Sequence, residues 1–317
     1  MRNCAVTQVG FYFSGICRYN VHMHTCFSHH IDLHIHSCCS DGVLRPAVLV
    51  ARAKAAGLSV IAVADHDTVA GVAEAQAEGL RLGVEIIPAV ELSVRFRKWD
   101  DVHLLGYGID VSDPGLLTHL ERFRANRSGR NVLILERVNR RLARQGYCGI
   151  TLEKVLAFAG GVLGRPHIAR ALIEEGIVGT VEQAFQNYLI PCNVPKEYWP
   201  IHDAIAEIHR TGGAAVLAHP TSITRDRGTL AEIISSLAAN GLDGIEVCNN
   251  MASTEDMGFL EDLAGSLGLV ATAGSDYHGI EDGIEMGRGR DGIRFDGSLL
   301  APLKERFLSR QDQLRSL

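Results

Sequence analysis

IDLHIHSCCSDGVLRPAVLVARAKAAGLSVIAVADHDT, residues 31–68, is the stretch whose reading decides the fold. Residues 31–36 (IDLHIH) and 58–64 (LSVIAVA) are short runs rich in β-branched residues, and the Ala- and Leu-rich residues 46–56 between them predict a helix ended by Gly57. Strand, helix, strand is the unit of a largely parallel sheet. The rhythm continues outward through predicted strands 84–91 (VEIIPAVE), 102–109 (VHLLGYGI), 214–218 (AAVLA), 243–248 (DGIEVC) and 269–273 (LVATA). Helices are predicted over 69–82, 201–211, 229–240 and 254–267, and Gly57, Gly83, Gly241 and Gly268 follow or end four helices as C-terminal caps should. About seven strands with intervening helices fit a barrel better than an open sheet.

The rhythm stops between residues 112 and 198, where the chain reads as helices. The expected division is therefore a barrel from 31–111 and 199–295, a helical insertion at 112–198 and a C-terminal helix over 296–317. Residues 1–30 show no clear periodicity and form an irregular leader, read as not native, with Met23 an alternative start. A His-rich metal-loading tail is the other reading of that leader.

The chain has 317 residues, 46% hydrophobic and 21% charged, with 33 Gly and 9 Pro, which excludes a disordered polymer, a collagen-like fibre and a coiled coil. A net charge of −6 argues against a protein that coats duplex nucleic acid. No run approaches the ~18 apolar residues of a membrane span. The eight cysteines have neither a disulfide framework nor CxxC spacing, so a soluble, cytoplasmic protein is expected. The segment 121–145 carries eight arginines, among them Arg122, Arg130 and Arg137; they form either a solvated helix face or a rim that attracts an anionic substrate.

His34 and His36 lie at i and i+2 on the first strand and so face the same way. Asp41 follows that strand, Asp65-His66-Asp67 ends the second, Glu91 ends the third, His219-Pro220 follows 214–218, and Asp276 and His278 follow the last. In a parallel barrel these C-terminal strand ends meet at one mouth. His103 sits at a strand start instead, so it reaches the mouth only if that strand runs antiparallel or if the site extends down one side. Imidazole and carboxylate without thiolate suit Mn, Fe or Zn, and Mg at a carboxylate-rich position. So many ligands exceed one ion and point to two or three, with Glu91 central enough to bridge. There is no GxGxxG placed after a strand, and no GxxxxGK[ST], HExxH or GxSxG.

Asp32-Leu33-His34-Ile35-His36-Ser37 with Ser40-Asp41-Gly42, Ala64-Asp65-His66-Asp67-Thr68, Glu91, Ala218-His219-Pro220 and Gly274-Ser275-Asp276-Tyr277-His278 together resemble the PHP (polymerase and histidinol phosphatase) metal-dependent phosphoesterases. Within that family the helical insertion resembles the 3′,5′-nucleoside bisphosphate phosphatases, some of which are also 5′→3′ exoribonucleases. The resemblance implies an α/β fold, a distorted (β/α)7 barrel, with two or three divalent ions in its mouth, manganese first and Zn2+, Fe2+ or Mg2+ as alternatives. The implied ligands are His34, His36, Asp41, His66, Glu91, His103, His219, Asp276 and His278. The implied substrate is a small nucleotide or short RNA, cut by in-line attack on phosphorus by a hydroxide shared between two ions, with His278 or His219 protonating the leaving oxygen. Arg165 is a phosphate contact and His167 a metal or phosphate contact, on the match of Gly164-Arg165-Pro166-His167 to an Arg-x-His element of the subgroup. An Arg normally follows His-Pro closely; here Thr221 and Ser222 intervene, so Arg225 and Arg227 are the substitutes, and Lys196 is the candidate for a lysine loop.

Rival readings are a histidinol phosphatase or other small-molecule phosphatase on the same fold, an amidohydrolase barrel, and a non-enzymatic metal-binding module. The long insertion disfavours the first, the Asp-His-Asp and Ser-Asp-Gly motifs the second, and the complete ligand set the third.

Overall fold

The computed structural model describes residues 30–158, 163–280 and 283–316; the leader expected at 1–30 lies outside these except for His30. The main sheet contains β1 (His30–Ile35), β2 (Leu58–Val63), β3 (Glu85–Phe96), β4 (Trp99–Tyr107), β6 (Ala214–Leu217), β7 (Gly244–Cys248) and β8 (Val270–Ala273), side by side in that order. The two-residue β5 (Trp199–Pro200) pairs with the end of β3. Helices α1 (Pro46–Ala55), α2 (Val72–Leu82), α7 (Ile201–Arg210), α8 (Arg227–Ala238) and α9 (Thr254–Leu267) alternate with the strands. Gly83 and Gly268 cap α2 and α9 in the left-handed conformation, and Gly57 and Gly241 take positive φ just past α1 and α8.

Most strand pairs are parallel, but β4 runs antiparallel to both β3 and β6. A tight turn at Arg97, with φ 54°, joins β3 to β4. The predicted third strand is therefore extended by five residues, because Leu92–Phe96 pairs with β4 as a hairpin. The reversal carries the start of β4 to the C-terminal ends of its neighbours: His103 pairs with Ser93, two residues beyond Glu91.

A distorted (β/α)7 barrel was the expectation; the structure shows an α/β fold with a mainly parallel sheet that is not closed, since no ladder joins β1 to β8 among the described residues. The two edges meet through Asp276 N–H donating to His34 O at 2.8 Å and His36 N–H to Tyr277 O at 2.9 Å, just past the strands. Asp32 explains the gap. Its buried carboxylate accepts from the backbone N–H of His34 (3.2 Å), Ser275 (3.0 Å) and Gly287 (2.7 Å) and from the Ser275 hydroxyl (2.6 Å). The His34 and Ser275 backbone donors are thereby taken from any β1–β8 ladder, and burial pushes the Asp32 pKa up to about 6.

Between β4 and β5 lie α3 (Pro114–Arg144), α4 (Leu152–Leu156), α5 (Arg165–Glu174) and α6 (Val181–Ala184), the last continuing into a π-helical turn. Asp113 caps α3 by accepting from Leu116 N–H, and a Pro opens its first turn. The first half of α3 packs Leu116, Leu120 and Phe123 on the main core, whereas Ile134, Val138 and Leu142 join a separate apolar cluster with Ile168, Leu172 and Leu189.

The C-terminal α10 (Leu300–Arg315) is tied to the sheet by Arg310, which donates to Asp243 Oδ1 at 3.0 Å; His209 Nε2 lies 2.8 Å from Asp243 Oδ2. Burial opposes ionisation of Asp243, but hydrogen bonds from His209, Arg310 and Ala215 N–H outweigh it and hold the carboxyl below its ordinary pKa. A lowered folded-state pKa adds stability that is present above the unfolded value, about 3.9, and is lost as pH falls through the folded one. Asp243→Asn is expected to cost about 2 kcal/mol at pH 7 and to flatten the acid limb of stability, read by urea melts at pH 7 and pH 3.

Candidate metal centre

The site sits where β1, β2, β6 and β8 end, against the middle of the β3–β4 hairpin that carries Glu91 and His103. His34 and His36 point inward together and are fully buried. The backbone enters the left-handed region at Asp67 (φ 53°), His219 (φ 26°) and Asp276 (φ 55°), which turns the chain sharply as it leaves β2, β6 and β8.

Glu91 is the hub. One of its oxygens lies 3.0 Å from His103 Nδ1, 3.2 Å from His219 Nε2 and 3.4 Å from His34 Nε2; the other lies 2.8 Å from His66 Nδ1 and 3.3 Å from His36 Nε2. Asp276 stands 3.0 Å from His36 Nε2 and 3.5 Å from His34 Nε2. Asp41 is 3.3 Å from His278 Nε2 and 3.8 Å from His66 Nε2. Three groups have donor atoms mutually within 4.8 Å: His36, Asp41, His66 and His278; His34, His36, Glu91 and Asp276; and His66, Glu91 and His103. Each pair of groups shares one residue. His219 adjoins the third, 3.3 Å from His103 Nδ1.

Burial alone would raise the Glu91 pKa, but His66, His103 and His34 hold it well below the usual range. Asp276 behaves alike, burial being overcome by His34 and His36. Burial pulls His103 down, yet Glu91 drives it up to about 9. Imidazolium protons thus balance the buried carboxylates, a role that cations fill without straining the site. The residues fit divalent ions for a second reason: His34 Nε2 and His36 Nδ1 are buried with no hydrogen-bond partner among the described residues.

Surrounding groups explain why these side chains hold still. Asp65 accepts from Ser37 N–H (2.8 Å) and the Ser37 and Ser40 hydroxyls (both 2.6 Å), pinning the loop that carries Asp41. Asp67 accepts from Ser93 N–H and Ser93 Oγ, both at 2.9 Å. The Asp-His-Asp triplet therefore offers one inward imidazole between two anchors. Glu246, not singled out by the sequence reading, is fully buried, sits 3.0 Å from His34 Nδ1 and accepts from His219 N–H at 2.9 Å. Its signal was a single charge inside the otherwise apolar run of β7. Such partners fix the tautomer and ring plane of a histidine.

A narrow cleft beside the hub is lined by Asp41, His66, His103, Asp101, Arg130 and Arg165, with Lys196 and Asn131 also in its wall. Lys196 Nζ donates to Ser93 Oγ at 2.6 Å and lies 3.4 Å from Asp101, and Arg165 lies 3.9 Å from Asp101 and over the Phe185 ring. Arg165 and Lys196 thus reach the cleft as the sequence placed them. His167 does not line it: the ring is buried and its Nδ1 accepts from Gly164 N–H, at the start of α5. Arg225 and Arg227 are also not brought to the cleft; they donate to Met251 O and to the Asp256 carboxylate. Of the Arg-rich segment, Arg130 enters the cleft wall and donates to Val194 O, whereas Arg122 and Arg124 pair with Glu197 and Glu121 on exposed ground.

Comparison with known proteins agrees with this geometry. The PHP domain model matches residues 32–189. A 5′-3′ exoribonuclease of Haemophilus influenzae is 34% identical over 265 residues, spanning 82% of this chain and 94% of that protein. A 3′,5′-nucleoside bisphosphate phosphatase of Chromobacterium violaceum is 34% identical over 269 residues, spanning 82% and 92%. A solved structure from Bifidobacterium adolescentis, presented as a candidate metal-dependent phosphoesterase, superimposes with a TM-score of 0.76 at 29% identity, covering 88% of this chain and 96% of that one. The chain belongs to the PHP domain family.

Proposed function

We infer that this protein is a metal-dependent phosphoesterase acting on a nucleotide, with 3′,5′-nucleoside bisphosphates as its substrate class and the 5′ end of short RNA as the nearest alternative. The observation that carries this reading is the set of three interlocking histidine and carboxylate groups opening onto a cleft walled by Arg130, Arg165 and Lys196. The overlap of the groups supports two or three divalent ions, manganese first, held by His34, His36, Asp41, His66, Glu91, His103, His219, Asp276 and His278. When bound, such ions polarise phosphoryl oxygens and lower the pKa of water. Arg165, Lys196 and Arg130 offset the charge that develops on the phosphoryl group, and Asp101 pairs with the first two. Of the two histidines expected to protonate the leaving oxygen, His219 borders a second cleft open to a leaving group, and it takes that role only with its Nε2 free of metal.

The same reading carries the finer architecture: a distorted seven-stranded barrel interrupted at 112–198 by a helical insertion. The hydrogen bonds between the β1 and β8 edges and the separate apolar cluster of the insertion support it. Among the described residues no helix is long and apolar enough to cross a membrane, in keeping with work on a dissolved substrate in the cytoplasm.

The test is manganese-dependent phosphate release from adenosine 3′,5′-bisphosphate beside histidinol phosphate, 5′-AMP and a short 5′-phosphorylated RNA. Turnover of the bisphosphate or the RNA is expected above that of histidinol phosphate. Arg165→Ala and Lys196→Ala are each expected to raise KM for the bisphosphate about 10-fold, with less effect on 5′-AMP. Preference for histidinol phosphate would overturn the substrate assignment.

A further inference from the structure

Two clefts open onto the metal centre, sharing His66, Asp101 and His103 as their common wall. They differ in size and in chemistry. The first, about 120 Å3, carries Arg130, Arg165 and Lys196 and has room for little more than a phosphate. The second, about 280 Å3, carries Trp99, Ile223 and Met251 on one side and Asp100, Asp101 and Ser222 beside them, has no Lys or Arg among its lining residues, and extends to His219 and Asp276 at the hub.

Trp99 opens β4 at the hairpin rim, half-buried, with some of its ring packed on the main core and the Lys98 ammonium 5.0 Å from its centroid. Met251 is 36% exposed and Ile223 packs partly against the core, so the side formed by Trp99, Ile223 and Met251 is apolar and reachable from solvent. The neighbouring Asp100 and Asp101 carboxylates repel phosphate, and the apolar side suits a flat, weakly polar group. Because the clefts meet at the hub, a substrate cut there directs its anionic group into the first cleft and its apolar group into the second.

We propose that the Trp99–Ile223–Met251 wall is the seat of the substrate's nucleobase, held chiefly by stacking on the indole. This inference rests on the nucleotide reading above and extends it to how the base is held. Stacking is sequence-tolerant, because every base has a π-face, so purine and pyrimidine substrates are both accepted, the purine more tightly. The second phosphate lies in the cationic cleft, and the scissile one sits between the clefts.

The experiment compares wild type, Trp99→Ala, Trp99→Phe and Met251→Ala on adenosine 3′,5′-bisphosphate, uridine 3′,5′-bisphosphate, the abasic ribose 3,5-bisphosphate and a 5′-phosphorylated dinucleotide. W99A is expected to raise KM for the adenosine compound about 10-fold with kcat within about twofold, and W99F to recover most of the loss. M251A should shift KM the same way by about threefold. The abasic compound should bind weakly to wild type and be unaffected by W99A, which separates a lost base contact from a loosened hairpin. A parallel rise for the dinucleotide places a terminal RNA base on the same wall; a rise for the mononucleotides alone restricts the wall to free nucleotides. Wild-type turnover of the adenosine compound with an unchanged KM in W99A, or an equal rise for the abasic compound, overturns this inference alone. Absence of wild-type turnover of all four overturns the nucleotide reading with it.

Discussion

Glu91→Gln is expected to lower kcat/KM by at least about 10³-fold and to reduce the metal bound per chain by at least one ion. Five imidazole nitrogens lie within 3.4 Å of its two oxygens, so no other side chain of the site touches as many candidate ligands. Glutamine keeps the volume but replaces one acceptor oxygen with a donor, aimed at nitrogens that must themselves present lone pairs to a cation. The charge balance of the two groups that contain Glu91 changes at once. The fold should tolerate the change better than the chemistry does. Histidines that were protonated to balance Glu91 can release those protons, so the metal-free variant is expected to melt within a few degrees of metal-free wild type. Metal analysis and thermal melts on the same samples check both halves of the expectation.

Gly274→Ala is expected to cost stability at the upper end of what overpacking does, about 3 kcal/mol, and to remove metal binding with it. Gly274 follows β8, and a Cβ there would stand 2.2 Å from the His34 Cβ, 2.8 Å from the His34 backbone nitrogen and 2.7 Å from Glu246 Oε1. Two of these contacts belong to β1 itself and cannot swing aside. The edges must separate, which draws Asp276 away from His36 and pushes Glu246 off His34. An internal control lies nearby in α9: a Cβ at Gly265 meets nothing within 4 Å, so Gly265→Ala should stabilise by about 0.5–1 kcal/mol through helix propensity alone. Urea denaturation midpoints of the two variants are expected to move in opposite directions.

The clustering of the candidate ligands was largely legible in the sequence because strand parity and strand ends are one-dimensional properties. His34 and His36 share a face by their spacing alone, and the other ligands follow short apolar runs. His103 was ambiguous because direction is a matter of pairing; the turn at Arg97 and the ladder from Ala89 to Phe96 resolve it as antiparallel. How far the sheet closes was not legible because a count of strands ignores side chains that intercept backbone donors, as Asp32 does between β1 and β8. Glu246 went unread because its role depends on contacts with residues more than two hundred positions and 27 positions away. Arg225 and Arg227 looked apt by proximity to His219, but the chain turns into α8 and spends them on Met251 O and Asp256. His167, on the same logic, serves the start of its own helix.

The central claim is that three overlapping ligand groups hold the ions on which phosphate-ester hydrolysis depends. Its most direct test counts metal by elemental analysis in protein loaded with manganese and freed of excess, and measures phosphate release from adenosine 3′,5′-bisphosphate on the same samples as chelator strips the ions. The account predicts two to three ions per chain, phosphate release that falls as they are removed and returns on reloading, and a lower count in Glu91→Gln. Fewer than one ion per chain, with phosphate release unchanged by the chelator, would contradict it.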